Sequence, residues 1–225
     1  MEDLSHTLSP EFPTFGGKPM NSLKRTTTLK KDGFNTFTWN LFEHIGTHID
    51  APVHFSENGV TVDQIPASRL VAPLAVIDVP ARASENSDTT VTVDDLLKWE
   101  STHGRLPEKR VVAMQSGWSE FSPTQRFRNA DPKGGIHFPG FHAEAARFLI
   151  EERSVIGIAV DTLSLDPGNS KDFAVHANWL SSGRWGIECL ANLQALPAHG
   201  ATIVVGAPKI AGATGGPSRV FAFVP

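Results

Sequence analysis

Four residues in one short stretch can bind a metal or move a proton: His44, His48, Asp50 and His54, in His44-Ile45-Gly46-Thr47-His48-Ile49-Asp50-Ala51-Pro52-Val53-His54. No other segment of the chain concentrates as much chemistry. Histidines at this spacing can share a helix face, as in helical zinc sites. Gly46, the run Thr47-Ile49 and Pro52 oppose a helix here. In an extended backbone His48 and Asp50 point the same way, because the side-chain period is two. Gly46 lets the chain turn and brings His44 beside them. The expected product is an imidazole–imidazole–carboxylate cluster suited to a divalent cation. His54, beyond a rigid proline, can share that pocket without ligating.

The elements that must position this stretch follow from hydrophobic periodicity. Thr36–Leu41 alternates Phe37, Trp39 and Leu41 with polar residues, which predicts a half-buried strand leading into His44. Val71–Val79, Val111–Met114, Val155–Val160, Thr202–Val205 and Val220–Val224 read as further strands. Thr92 with an acid three residues on predicts a capped helix to about Glu100. The spacing of Ala145, Phe148 and Leu149 predicts an amphipathic helix over His142–Glu152. Val175–Leu180 and Gly186–Leu196 read as partly helical, and Asp166–Asp172 as a polar loop. Asp161 ends a strand, where polar groups in α/β proteins often face a site; the alternative is that it bonds nearby backbone amides. The Pro- and Gly-broken segment Leu4–Lys18 reads as an irregular arm, whose Phe12 and Phe15 either pack on the body or line a substrate pocket. No repeat or linker appears, so one domain over 1–225 is expected.

Composition narrows the chemistry. Cys189 is the only cysteine, which leaves neither an internal disulfide nor a thiolate zinc site. The net charge of −4 gives no support for a nucleic-acid partner. No run reaches the ~18–20 apolar residues of a membrane span, and the N-terminal segment lacks a basic-then-apolar pattern, so a cytoplasmic location is the expectation. Among the other histidines, His137 and His142 read as surface residues, and His103 and His199 each precede a glycine near an expected helix end. His176 and Glu188 sit in apolar contexts. A buried carboxylate needs a partner, and for Glu188 a metal or an arginine such as Arg184 would serve.

The stretch as a whole resembles the HxGTHxDxPxH signature of the cyclase superfamily, the group that holds bacterial kynurenine formamidases and isatin hydrolases. Asp3–Leu8, Ser116-Gly117-Trp118, His137–Gly140, Asp161–Asp166 and the late pair His176 and Glu188 resemble other landmarks of that family. The resemblance implies an α/β fold, a swivelling β/β/α domain with a mixed sheet and flanking helices, in homodimers or homotetramers. It implies His44, His48, Asp50, His176 and Glu188 as ligands of one or two divalent ions, Zn2+ or Mn2+, with Asp50 bridging. It makes His54 the acid–base residue. Phe15 stands where formamidases carry a tryptophan against substrate, and Cys189 stands where an asparagine is common.

These parts suit hydrolysis of an amide, formamide, lactam or lactone. A divalent ion lowers the pKa of water from 15.7 toward ~7, and His54 can relay the proton to a leaving amine. Phe12, Phe15 and Trp118 would supply an aromatic pocket for a small-molecule substrate. Two other classes fit less of the pattern. A non-haem iron redox enzyme needs only two histidines and one carboxylate. A non-catalytic metal-binding protein has no use for His54.

Overall fold

The apolar run Val71–Asp78 forms an eight-residue strand near the middle of a nine-stranded sheet. The computed structural model describes residues 1–225. In chain order the strands are β1 (Glu2–Asp3), β2 (Asn21–Thr27), β3 (Thr36–Leu41), β4 (His48–Asp50), β5 (Val71–Asp78), β6 (Thr90–Val91) and β7 (Val111–Gln115). They continue as β8 (Gly140–Phe141), β9 (Gly157–Val160), β10 (Trp185–Glu188), β11 (His199–Gly206), β12 (Gly215–Pro217) and β13 (Arg219–Phe223). The helices are α1 (Leu29–Asp32), α2 (Pro80–Glu85), α3 (Val93–His103), α4 (Ala143–Glu151) and α5 (Ala174–Ser181).

The large sheet runs β1-β13-β11-β5-β7-β9-β10-β4-β12. Its centre, β5, β7, β9 and β10, is parallel, and the pairings outside it are antiparallel. The fold is therefore mixed α/β. Both faces are covered, which is why the central strands read as unbroken apolar runs. One face packs Ala75, Ile77, Val112, Met114, Ile158 and Val160 against α3, α4 and α5. The other buries Ile49, Leu74, Val76, Val111, Ile187 and Ile203.

β4, the strand that carries His48 and Asp50, lies between β10 and β12. Its Ile49 faces the core at 0 % exposure. His48 and Asp50 therefore share the opposite face. The register sets Glu188 opposite His48 and Gly186 opposite Asp50. On the other side Gly215 faces Asp50. A β-carbon there would stand 2.5 Å from His44 Cε1, so only glycine leaves room for that ring.

Several expectations need correction. Gly186–Leu196 is helical only in the 3₁₀ turn at Leu193–Ala195; Gly186–Glu188 belongs to β10. Gly186 weakens a helix, and pairing with β9 and β4 outweighs local propensity. Thr36–Leu41 is a strand but not half-buried: all six residues are exposed, and β3 pairs with β2 in a separate two-stranded ribbon. Asp3–Leu8, which resembles the family's opening strand, is strand only at its start. Only Glu2–Asp3 joins the ladder, with Ser5 bridging to Leu190. His199 opens β11 rather than lying at a helix end.

Candidate metal centre

The residues between the ligand candidates hold them in place. Gly46 adopts a left-handed turn (φ 61°), and its carbonyl accepts a bond from His48 Nδ1 at 2.8 Å. Thr47 donates to the Cys189 carbonyl at 2.6 Å and accepts the His6 amide at 2.9 Å. This joins the motif, the N-terminal arm and the end of β10. Pro52 starts a 3₁₀ turn over Pro52–His54, where its missing N–H costs nothing.

His44, His48, Asp50, His176 and Glu188 converge. They form two triads that share Asp50: His44, His48 and Asp50, and Asp50, His176 and Glu188. Within each triad the candidate ligand atoms lie within 4.8 Å of one another. His44 Nδ1 is 2.7 Å from Asp50 Oδ1. His48 Nε2 is 3.3 Å from Asp50 Oδ1 and 3.4 Å from Glu188 Oε2. His176 Nε2 is 3.0 Å from Glu188 Oε1 and 3.7 Å from Asp50 Oδ2.

Each histidine is anchored on its outer nitrogen. His48 uses the Gly46 carbonyl, and His176 Nδ1 uses Asp166 Oδ2 at 2.6 Å. His44 Nε2 bonds Thr214 Oγ1 at 2.9 Å, and the Thr214 hydroxyl in turn donates to Glu43. A neutral imidazole that donates outward turns a lone pair inward. Here the inward lone pairs face carboxylate oxygens, which also only accept. A cation resolves that repulsion, and the donor set suits a divalent metal. His48 Nε2 and Asp50 Oδ2 are buried without a hydrogen-bond partner, as ligand atoms of such an ion would be.

The electrostatics carry the same demand for positive charge. Burial pulls the His48 imidazole down, but Asp50 and then Glu188 outweigh it and raise it to about 9. Burial and the Asp50 charge push the Glu188 carboxyl up. Asp50 is held well below its ordinary value, because its three histidine neighbours overcome its burial.

His54 stands apart from this set. Its ring stacks on His44 at 3.9 Å between centroids and 22° between planes. The His176 ring lies 6.1 Å away. Burial, only partly opposed by Asp50, lowers the His54 imidazole to about 4, so it is neutral near pH 7.

These residues form one end of a cavity of about 360 Å3, walled by Phe15, Met20, Phe42, Phe55, Leu163 and Phe173. Phe15, 39 % exposed, packs against Phe138 and Phe173 at the cavity wall. Phe12 is buried in the cluster beneath. Phe173 (φ 50°) and Cys189 (φ 55°) both line the cavity in the left-handed region, a strain of about 1–3 kcal/mol each.

Trp118 does not line this cavity. It is 5 % exposed, its indole N–H donates to the Phe127 carbonyl at 2.8 Å, and it supports the wall from behind with Ile45, Leu163 and Cys189. Buried indoles need such a partner, and an internal carbonyl satisfies this one. Asp161 accepts bonds from the Ser116 amide and hydroxyl and the Trp118 amide, as expected of a strand-end carboxylate. Glu188 meets histidines rather than Arg184, which bonds the carbonyls of Ile150, Val155 and Ser182. Asp166, Thr214 and Glu43 were not legible as supports, because their roles depend on contacts between distant segments.

The family model described as "Putative cyclase" matches residues 2–167. Isatin hydrolase of Roseibium aggregatum is 32 % identical over 97 % of this chain and 86 % of its own length. Kynurenine formamidase of Bacillus cereus is 28 % identical over 80 % of this chain and 77 % of its own length. The structure of isatin hydrolase A from Labrenzia aggregata, bound to benzyl benzoate, superposes with a TM-score of 0.93 at 36 % identity, covering 99 % of this chain and 92 % of that one. With a family match over most of its length and a relative of this identity, the chain belongs to the cyclase family.

Proposed function

We propose that this protein is a metal-dependent hydrolase that cleaves a C–N bond in an aryl formamide or a small cyclic amide, with lactones as a related class. The observation that carries the reading is the placement of His54: its ring stacks on His44 of a five-residue donor cluster, belongs to neither triad, and lines the same aromatic-walled cavity. The names of the two relatives support the substrate class. His44, His48, Asp50, His176 and Glu188 would hold one or two divalent ions, Zn2+ or Mn2+, with Asp50 common to both triads. Such an ion would polarise the substrate carbonyl and make water acidic near neutral pH.

The chain's own residues supply the rest. Phe15, Phe42, Phe55 and Phe173 bind an aromatic ring and exclude bulk water. His54 takes a proton from the attacking water on a ring nitrogen. It returns that proton to the departing nitrogen as the C–N bond breaks, so the imidazole ends as it began. We also propose a homodimer or homotetramer, supported by the exposed apolar face of the β2–β3 ribbon.

Metal analysis of the purified protein tests the reading, paired with turnover of N-formylkynurenine, isatin and simple lactones in air and under nitrogen. Bound metal, chelator-sensitive hydrolysis and no need for oxygen are expected. Metal without turnover on any amide or lactone would overturn the hydrolase. Oxygen dependence would replace it with the iron redox reading.

A further inference from the structure

The three ligand histidines differ in what holds the nitrogen that faces away from the cluster. His48 has a backbone carbonyl and His44 a hydroxyl, while His176 has the carboxylate of Asp166. Asp166 is 2 % exposed. Its Oδ1 accepts the Val175 amide at 2.8 Å, and its Oδ2 accepts both the His176 amide at 3.0 Å and His176 Nδ1 at 2.6 Å.

The segment that carries Asp166 has little freedom to move. Residues 161–166 are all buried. A β-carbon on Gly140 would lie 2.4 Å from the Asp166 carbonyl carbon, so the two backbones are in close contact. The Phe141 amide bonds the Leu165 carbonyl at 2.8 Å. The Leu165 amide donates to Glu188 Oε1 at 3.0 Å. One rigid segment thus orients both His176 and Glu188.

We propose that Asp166 is the positioning residue of the metal centre: it fixes His176 as the Nδ1–H tautomer, so that Nε2 presents its lone pair beside Asp50 and Glu188. The proposal rests on the reading of this cluster as a metal site. A carboxylate can only accept at this contact, so it selects the tautomer, sets the ring plane and raises the basicity of the inward nitrogen. An asparagine keeps the shape but not the chemistry. With its oxygen on the Val175 amide, its NH2 group meets His176 Nδ1 and favours the opposite tautomer. With its oxygen on His176, its NH2 group meets the Val175 N–H.

Two measurements on the 225-residue chain test this. The first is zinc affinity of the wild type and Asp166→Asn, by competition with a chromophoric chelator, with thermal melts of both. We expect about 10–100-fold weaker zinc binding in the variant. A carboxylate that only caps α5 would lower Tm and leave zinc affinity unchanged, and that result overturns the proposal alone. The second uses wild-type protein with 15N-labelled histidine, the His176 signal being assigned by its loss in His176→Gln. Long-range 15N–1H correlation should show Nδ1–H in the zinc-loaded state, while Nε2–H there would overturn the proposal even if Asp166→Asn does not fold. Wild-type protein that takes up no zinc would overturn the metal reading and this proposal with it.

Discussion

His54 separates the catalytic reading from simple metal binding. It stacks on a candidate ligand, His44, yet belongs to neither triad. His54→Asn should keep metal near wild-type occupancy and lower turnover by about 10²–10⁴-fold. Its acid limb in kcat/KM should flatten or move. Metal lost together with activity would make His54 a ligand, and metal kept with full activity would remove its role as base. Phe15 tests the cavity wall. Stacking helps substrate and transition state alike, so Phe15→Ala should raise KM more than it lowers kcat on an aromatic amide. Unchanged kinetics would return Phe15 to plain packing. The motif stretch was legible because its candidate ligands are local in sequence. His176 and Glu188 stood out as polar groups in apolar runs, but only the family resemblance paired them with it. Asp166, Thr214 and Glu43 were not legible, since a hydroxyl or carboxylate shows its partner only once the chain has folded.

At the scale of elements, short-range chemistry was the most legible. The Thr92 cap formed as expected: its hydroxyl accepts the Asp95 amide, and Asp95 accepts the Thr92 amide at 2.8 Å. Helix α3 packs on the helical face of the sheet rather than against the metal cluster. Thr92→Ala should therefore cost about 1 kcal/mol, read as a lower Tm, with kinetics unchanged. The pH dependence has a definite sign. Burial raises the Asp95 carboxyl, but the Thr92 amide and hydroxyl and then Arg82 outweigh it and bring it below its ordinary 3.8. The folded chain then holds this proton less tightly than the unfolded one. The contribution is whole above about pH 4 and is lost as pH falls through the lowered value. The Tm gap between wild type and Thr92→Ala should narrow in acid; a gap constant down to pH 2 would remove the box from the account. Strand β10 was misread because Trp185-Gly186-Ile187-Glu188 is too short to show a period, and its conformation is set by β9 and β4 on either side.

At the scale of the molecule, the β2–β3 ribbon is the feature least explained by one subunit. The alternation of β3 was legible; β2 as its partner strand, and what the apolar side faces, were not. The pairs Leu23 with Trp39, Arg25 with Phe37 and Asn21 with Leu41 fall on one face; Ser22, Lys24, Thr38 and Asn40 fall on the other. Leu23, Phe37, Trp39 and Leu41 remain 38–44 % exposed. A two-stranded ribbon alone is marginal in water, and a patch of this kind marks an interaction surface. The ribbon is also rooted in the cavity: Met20 precedes it, Phe42 follows it, and both line the wall. Phe42 lies 5.9 Å from the His44 ring between centroids. A second copy that covers the ribbon would thus steady the cavity wall as it buries apolar surface, and a stable interface needs ~800 Å2 from each partner. Trp39→Glu places a charge at the centre of that face without touching the metal cluster. Sedimentation velocity should show the wild type as a dimer or tetramer and Trp39→Glu shifted toward monomer, with metal retained and KM raised as the wall loosens. A wild type that stays monomeric at tens of micromolar, or a variant that associates as before, would show that this face serves something other than self-association.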